Sequence, residues 1–177
     1  MKNKLAPEYF YLQTFETPLG AMQVGANIRK LYYLQFVCDV DSNEEVENIA
    51  RTLNLEITHQ TNSIIELTKN EVLKYFAKKL KNFSIPLGFI GTPFQIQTWN
   101  AITQIPYGEA ISYKQLAKKV DKPNGYRAVA NVNAKNKIVV IVPCHRVIAH
   151  DQTIGGYSGG LDRKKLLLDL EEIKYKK

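Results

Sequence analysis

Cysteine is scarce in this chain: Cys38 and Cys144 are the only two among 177 residues. They stand far apart and form no Cys-x-x-Cys pair, which excludes a disulfide framework and fits a reducing compartment. Histidine is almost as rare. His59, His145 and His150 are scattered, so no four ligands stand at metal-binding spacing and no metal is expected. No apolar run is long enough to span a bilayer. The first eight residues lack the apolar segment of a secretion signal, so the expected location is the cytoplasm. Internal repeats and low-complexity tracts are absent as well.

What remains is the composition of a globular protein, 45% hydrophobic, with an uneven charge. Residues 1–90 carry 10 basic and 10 acidic side chains, whereas residues 91–177 carry 14 and 7. The whole net charge of +7 therefore lies in the second half, which points to a polyanion contacted there. A merely soluble basic surface would look the same.

The first half reads as a sheet with helices. Tyr9–Thr17, Ala21–Ala26 and Leu31–Val37 are strand-like runs. The turn Thr17-Pro18-Leu19-Gly20 and the loop from Asn27 to Lys30 join them into an antiparallel meander. Cys38 ends the third run and reads as structural or incidental. Ser42 to Glu45 forms a capping-box pattern before Val46, Ile49, Ala50 and Leu53 at helical spacing. Leu55–His59 is a candidate fourth strand. Ser63 to Glu66 is a second box, opening a helix to about Leu80. Asn82 to Gly91, with Pro86, Gly88 and Gly91, reads as a linker, so the expected domains are residues 1–90 and 91–177.

Beyond the linker, Thr92, Pro93 and Gln95 predict a capped helix carrying Trp99, Ile102 and Ile105 inward. Ser112 and Gln115 cap another, ending near Val120. A turn from Asp121 to Gly125 leads to a third helix, Tyr126–Ala134. Two short helices across a tight turn in a basic half suggest a helix-turn-helix. Small Ala128, Ala130 and Ala134 would let the third helix approach a partner closely, although Ala-rich helices are also common in cores. Asn131, Asn133 and Asn136, beside Lys135 and Lys137, favour an exposed nucleic-acid face.

The densest stretch is residues 138–148. Ile138 to Val142 read as a strand buried on both faces, ended by Pro143. Cys144 and His145 follow, a thiol and an imidazole where the chain leaves the core. That pair is a candidate nucleophile with its base; a small core cysteine is the competing reading. Gly155, Gly156, Gly159 and Gly160 surround Tyr157 and Ser158, which favours a pocket wall. In the last helix, Leu161 to about Tyr175, Glu171 is either a solvated flank or a carboxylate turned toward the site.

These segments together resemble the O6-alkylguanine-DNA alkyltransferases of bacterial type. The resemblance rests on GTPFQIQTWNAITQIPYGEAISYKQLAKKV at 91–120, the Arg127 helix, IVPCHRVI at 141–148 and GGYSGGLDRKKLLLDLE at 155–171. It covers nearly all of residues 91–171 and is looser over 1–90. It implies an α+β protein of two domains, a ribonuclease-H-like antiparallel sheet with helices and a mainly helical domain. The latter would hold a winged-helix-like helix-turn-helix and an active-site strand. The implied activity is the irreversible transfer of an alkyl group from O6-alkylguanine, or O4-alkylthymine, in double-stranded DNA to Cys144. No cofactor is implied, and a monomer is expected.

The same resemblance assigns roles. His145 takes the thiol proton through a water, and Glu171 holds the imidazole. Asn136 braces the recognition helix against the site. Tyr113 gives a proton to the departing guanine oxygen and helps push the nucleotide out. Tyr157, Ser158, Val147 and Gly159 wall the guanine pocket. Arg127 fills the gap left by the flipped base in the minor groove, flanked by Ala128, Ala130 and Asn131. The strip Lys137 to Val140 carries no proline where many relatives do, which bears on tolerance of bulky alkyl groups. Three other readings compete: a lesion binder without an acceptor cysteine, a plain helix-turn-helix regulator, and a thiol hydrolase that turns over. Cys144 itself argues against the first.

Overall fold

The computed structural model describes residues 8–37 and 42–176, without the side chains of residues 42 and 43. Cys38 lies outside the described residues, as do the first two side chains of the box expected at Ser42. The elements are β1 (Tyr9–Phe15), β2 (Met22–Ala26), β3 (Leu31–Phe36), α1 (Ser42–Leu53), β4 (Glu56–Thr58) and α2 (Ser63–Phe76). The second half contributes α3 (Pro93–Thr103), β5 (Ile111–Ser112), α4 (Tyr113–Lys119), α5 (Tyr126–Ala134), a 3-10 turn (Cys144–Arg146), β6 (Val147–Ile148) and α6 (Leu161–Leu170). This is an α+β architecture.

The sheet order is β3-β2-β1-β4. The first three strands form the expected meander, turned by Asn27, whose carboxamide oxygen accepts from the backbone N–H groups of Arg29 and Lys30. The fourth is not part of it. β4 runs parallel to β1, with Phe10 opposite Ile57, because α1 returns the chain to the same end before β4 begins. Alternation along β1 buries Phe10 and Leu12 against α1 residues Val46, Ile49 and Ala50, while β2 and β3 cover the other core.

The helix caps separate local from long-range control. Thr92 and Ser112 each accept from the N–H three residues on, and Gln95 and Gln115 reach back, completing both expected boxes. The second N-terminal box is different. Asn62, not Ser63, caps α2 by accepting from the N–H of Ile65, and Glu66 instead receives the Thr61 hydroxyl. α2 also stops at Phe76 rather than near Leu80.

Two expectations about the middle of the chain need correcting. Residues 82–91 are not a free linker. Leu31 donates to Pro86 and accepts from Gly88, which lays this segment along the edge of β3. Gly88 is needed there, because a Cβ would sit 2.2 Å from the Tyr32 ring. Nor is Ile138–Val142 a strand. Leu34 exchanges two backbone bonds with it, donating to Lys137 and accepting from Val139, and then the segment folds back on itself. Val142 N–H bonds the Ile138 carbonyl, and Val140 has φ 73, a conformation costly for a β-branched residue. All five residues are nevertheless buried, at the centre of a core that joins β2 and β3 to α2, α3, α4, α5 and α6.

Candidate active site

Cys144 opens the 3-10 turn and is 1% exposed. Its conformation is set by a side chain eight residues earlier. Asn136 Oδ1 accepts from Ile138 N–H, and its Nδ2 approaches the Val142 carbonyl (2.9 Å) and the Cys144 sulfur (3.1 Å). Asn133, on the inner face of α5, donates to the Cys144 carbonyl at 3.2 Å. Neither asparagine faces a nucleic acid, contrary to the sequence reading; both are buried and serve the folded-back segment. Burial pushes the Cys144 thiol up to about 11, opposed in part by the Asn136 hydrogen bond and the Lys164 charge.

His145 is fully buried, and its Nε2 lies 2.8 Å from Glu171 Oε1. A carboxylate at Nε2 favours the tautomer with the proton there, which leaves Nδ1 as the acceptor. Nδ1 is buried and has no protein partner among the described residues. Burial lowers the imidazole below its ordinary value of 6.5, against the pull of Glu171. Glu171 is the C-cap of α6 and 2% exposed. Arg146 grips it with Nε to Oε2 (2.8 Å) and Nη2 to Oε1 (3.0 Å), while the Gly108 N–H and the Tyr75 hydroxyl add further donors. Burial alone would raise this carboxyl, but the bonds and charges of His145 and Arg146 outweigh it and hold it at about 2.

Lys164 completes the arrangement and is fully buried on α6. Its ammonium spends three N–H bonds on the carbonyls of Val147, Ile154 and Gly156, so it ties the glycine loop to β6. Burial lowers it to about 8, while the Cys144 charge acts the other way. Tyr157 and Tyr113 lie near enough to the thiol to feel its charge. Both phenols are raised, by burial first and by the Cys144 charge second. The Tyr157 hydroxyl is buried and makes no hydrogen bond of ordinary geometry with the described residues. Gly155, at φ 65, lets the loop pass the Tyr113 ring, and Tyr157 packs on buried Gly159 beside Phe36. Ser158 is exposed at the rim. Arg163 fixes the far side of the loop, donating to Gly159 and Leu19 and covering the Phe36 ring.

The chain therefore gathers Cys144, His145, Glu171, Asn136, Tyr113, Val147, Tyr157 and Gly159 in one region. Arg127, Ala128 and Asn131 form a separate, exposed face of α5, with Ala130 half-buried between the faces. α5 packs on α4 and α3, and Trp99 Nε1 donates to the Val132 carbonyl at its end. Tyr75, Arg146 and Lys164 carry no role in the sequence reading, and Asn133 carries the wrong one, an exposed face instead of the Cys144 carbonyl. Lys164 had a signal, a lysine three residues before Leu167 on the inward face of an apolar helix. Arg146 adjoined the Cys-His pair. Tyr75 had none, since a core aromatic in a helix looks like any other.

Residues 10–89 match the family model for the 6-O-methylguanine DNA methyltransferase ribonuclease-like domain. Residues 93–173 match the model for that family's DNA binding domain. A methylated-DNA–protein-cysteine methyltransferase of Methanosarcina barkeri is 36% identical over 92% of this chain and 97% of its own. The constitutive enzyme of that name from Bacillus subtilis is also 36% identical, over 94% and 98%. Among solved structures, Mycobacterium tuberculosis OGT in complex with DNA superposes with a TM-score of 0.79 at 31% identity, covering 92% of each chain. The chain belongs to the methylated-DNA–protein-cysteine methyltransferase family.

Proposed function

We propose that this protein repairs double-stranded DNA by moving the alkyl group of O6-alkylguanine onto Cys144, once per molecule and without a cofactor. The observation that carries the reading is the Cys144 thiol held by Asn136 beside a buried imidazole whose one unpaired nitrogen, Nδ1, is free to accept a proton. With the thiol at about 11, only about one molecule in 10⁴ holds a thiolate at pH 7. His145 Nδ1 takes the thiol proton through a bridging water as sulfur attacks, and Glu171 steadies the imidazolium. The new bond is sulfur to alkyl carbon; the bond that breaks is that carbon to guanine O6. Its electron pair stays on the guanine, which Tyr113 protonates. A thioether offers water no polarised carbonyl, so the thiol is not regenerated.

The α5 face carries the DNA part of the reading. Arg127 enters the minor groove and occupies the space of the extruded nucleotide, with Ala128, Ala130 and Asn131 against the backbone. The guanine sits between Tyr113 and the loop bearing Tyr157, Ser158 and Gly159, near Val147. Residues 91–177 then form the DNA-binding and acceptor domain, with residues 1–90 supporting it, and the protein works in the cytoplasm on the nucleoid. The test is duplex DNA with a labelled methyl on guanine O6. Protein-bound label should plateau at one equivalent and vanish with Cys144→Ala. Continuous release of labelled methanol would instead establish a hydrolase, and a Cys144→Ala protein that still repairs would remove sulfur from the scheme.

A further inference from the structure

The contact that the alkyl-transfer reading leaves unused comes from the other half of the chain. Tyr75, in the last turn of α2, is fully buried, and its hydroxyl donates to Glu171 Oε1 at 2.5 Å. That oxygen is the one facing His145 Nε2. The ring is fixed by edge contacts with Phe76 and Tyr107 and by Phe83, so the hydroxyl has little freedom to leave. We propose that Tyr75 is a positioning residue supplied by the N-terminal half, which sets how tightly the Glu171–His145 pair holds a proton. This rests on the assignment of His145 as proton acceptor.

The Glu171 carboxylate shares its charge among several donors. Oε1 receives Tyr75, His145 and Arg146 Nη2, and Oε2 receives Arg146 Nε and the Gly108 N–H. Each donor withdraws negative charge from the carboxylate and weakens its pull on the imidazole proton. Too strong a pull would leave His145 protonated at neutral pH, with no lone pair for the thiol proton. The phenol is a dependable donor because burial first, and the Glu171 charge next, keep it from ionising. The other charged or titratable groups facing this pair are Arg146 from the 3-10 turn, Lys164 from α6, Tyr107 after α3, Tyr157 from the glycine loop, and Cys144 itself. Arg146 divides its fork between both carboxylate oxygens, and Lys164 acts on His145 only through space. Tyr75 is the neutral donor on the shared oxygen. On this view the N-terminal half is more than a scaffold.

The experiment follows His145 directly. With three histidines in the chain, its imidazole signal can be assigned by NMR and titrated in wild type and Tyr75→Phe. Removing the hydroxyl should raise the His145 midpoint by about one pH unit and cut the methyl-transfer rate about tenfold below it, with the loss recovering above pH 8. A second protein, with fluorotyrosine placed at position 75 alone, makes the phenol a stronger donor and should move the midpoint down; it covers the case in which the phenylalanine variant folds poorly. A purely structural Tyr75 would lower the melting temperature and leave both midpoint and rate profile in place, and that result overturns the proposal. Should wild type accept no label at all, the alkyl-transfer reading fails instead, and the two failures are distinct.

Discussion

The Nδ2 of Asn136 lies 3.1 Å from the Cys144 sulfur and 2.9 Å from the Val142 carbonyl, so one amide holds both the thiol and the segment that delivers it. Because Asn136 donates toward sulfur, it favours the thiolate over the thiol. Asn136→Ala removes that donor and strands the Ile138 N–H in the core, while the Val142 carbonyl keeps the Cys144 N–H. A buried orphan costs about 1–3 kcal/mol, so a loss of that order is expected in denaturant unfolding. The thiol midpoint should also rise above about 11, read as slower iodoacetamide labelling at fixed pH. Unchanged labelling in a folded variant would show that Asn136 acts on the backbone alone.

The pH dependence of methyl transfer follows from His145. Its folded value is lowered by burial, so the neutral acceptor persists below the ordinary 6.5, and the acid limb of the rate should fall below that pH. Glu171 titrates later. Its stabilising contribution is complete above the unfolded value of 4.5 and is lost as pH falls toward about 2, an effect of roughly 3 kcal/mol. Above the acid limb the rate should be flat to about pH 9, because proton removal by His145 does not depend on bulk hydroxide. A tenfold rise per pH unit from 7 to 9 would mean that preformed thiolate reacts, and His145 would lose its proton-accepting part.

Such behaviour was partly legible in the sequence, and the division is physical. The caps at Thr92 and Ser112 rest on residues three apart, so local pattern finds them. At α2 two adjacent residues, Asn62 and Ser63, can both cap, and the pattern alone picked the wrong one. Five aliphatic residues from Ile138 announced burial correctly but not shape, because beyond one bridge to Leu34 of β3 the segment bonds to Asn136 and to itself. Asn133 and Asn136 read as polar and therefore exposed; their partners are backbone groups that no composition reveals. The Cys144, His145 and Glu171 grouping came from motif resemblance. Tyr75 lies 96 residues from Glu171, beyond any local signal.

Arg127 should separate DNA binding from folding. It is exposed near the start of α5, and its guanidinium stands 5.7 Å from the Tyr126 ring centroid without an ion pair among the described residues. Arg127→Ala should therefore change stability by no more than about 0.5 kcal/mol. Binding to lesion-bearing duplex should weaken by about 1–3 kcal/mol, and transfer should slow at subsaturating DNA. The reaction with free O6-methylguanine base should keep its rate, since no nucleotide need be extruded. A variant that loses reaction with the free base as well would place Arg127 in the chemistry rather than on the DNA.

Alkylation should destabilise the protein it marks. Cys144 is 1% exposed and held by Asn136, with Val142 and the Tyr157 ring in the same cluster, so a methyl group left on sulfur after the guanine departs crowds its neighbours. Inserting one such group into a packed interior typically costs about 1–3 kcal/mol. The thioether is also a poorer acceptor for the Asn136 N–H, and that amide holds the segment from Ile138 to Val142 in place. Strain at the sulfur is thereby passed to the backbone bonds joining this segment to Leu34 in the sheet. For a chain of this length the melting temperature should drop by roughly 2–10 °C once one equivalent of methyl has been taken up and the DNA removed. An equal or higher melting point in the methylated protein would mean that the site has room for its product, and the tight packing inferred around Cys144 would not hold in solution.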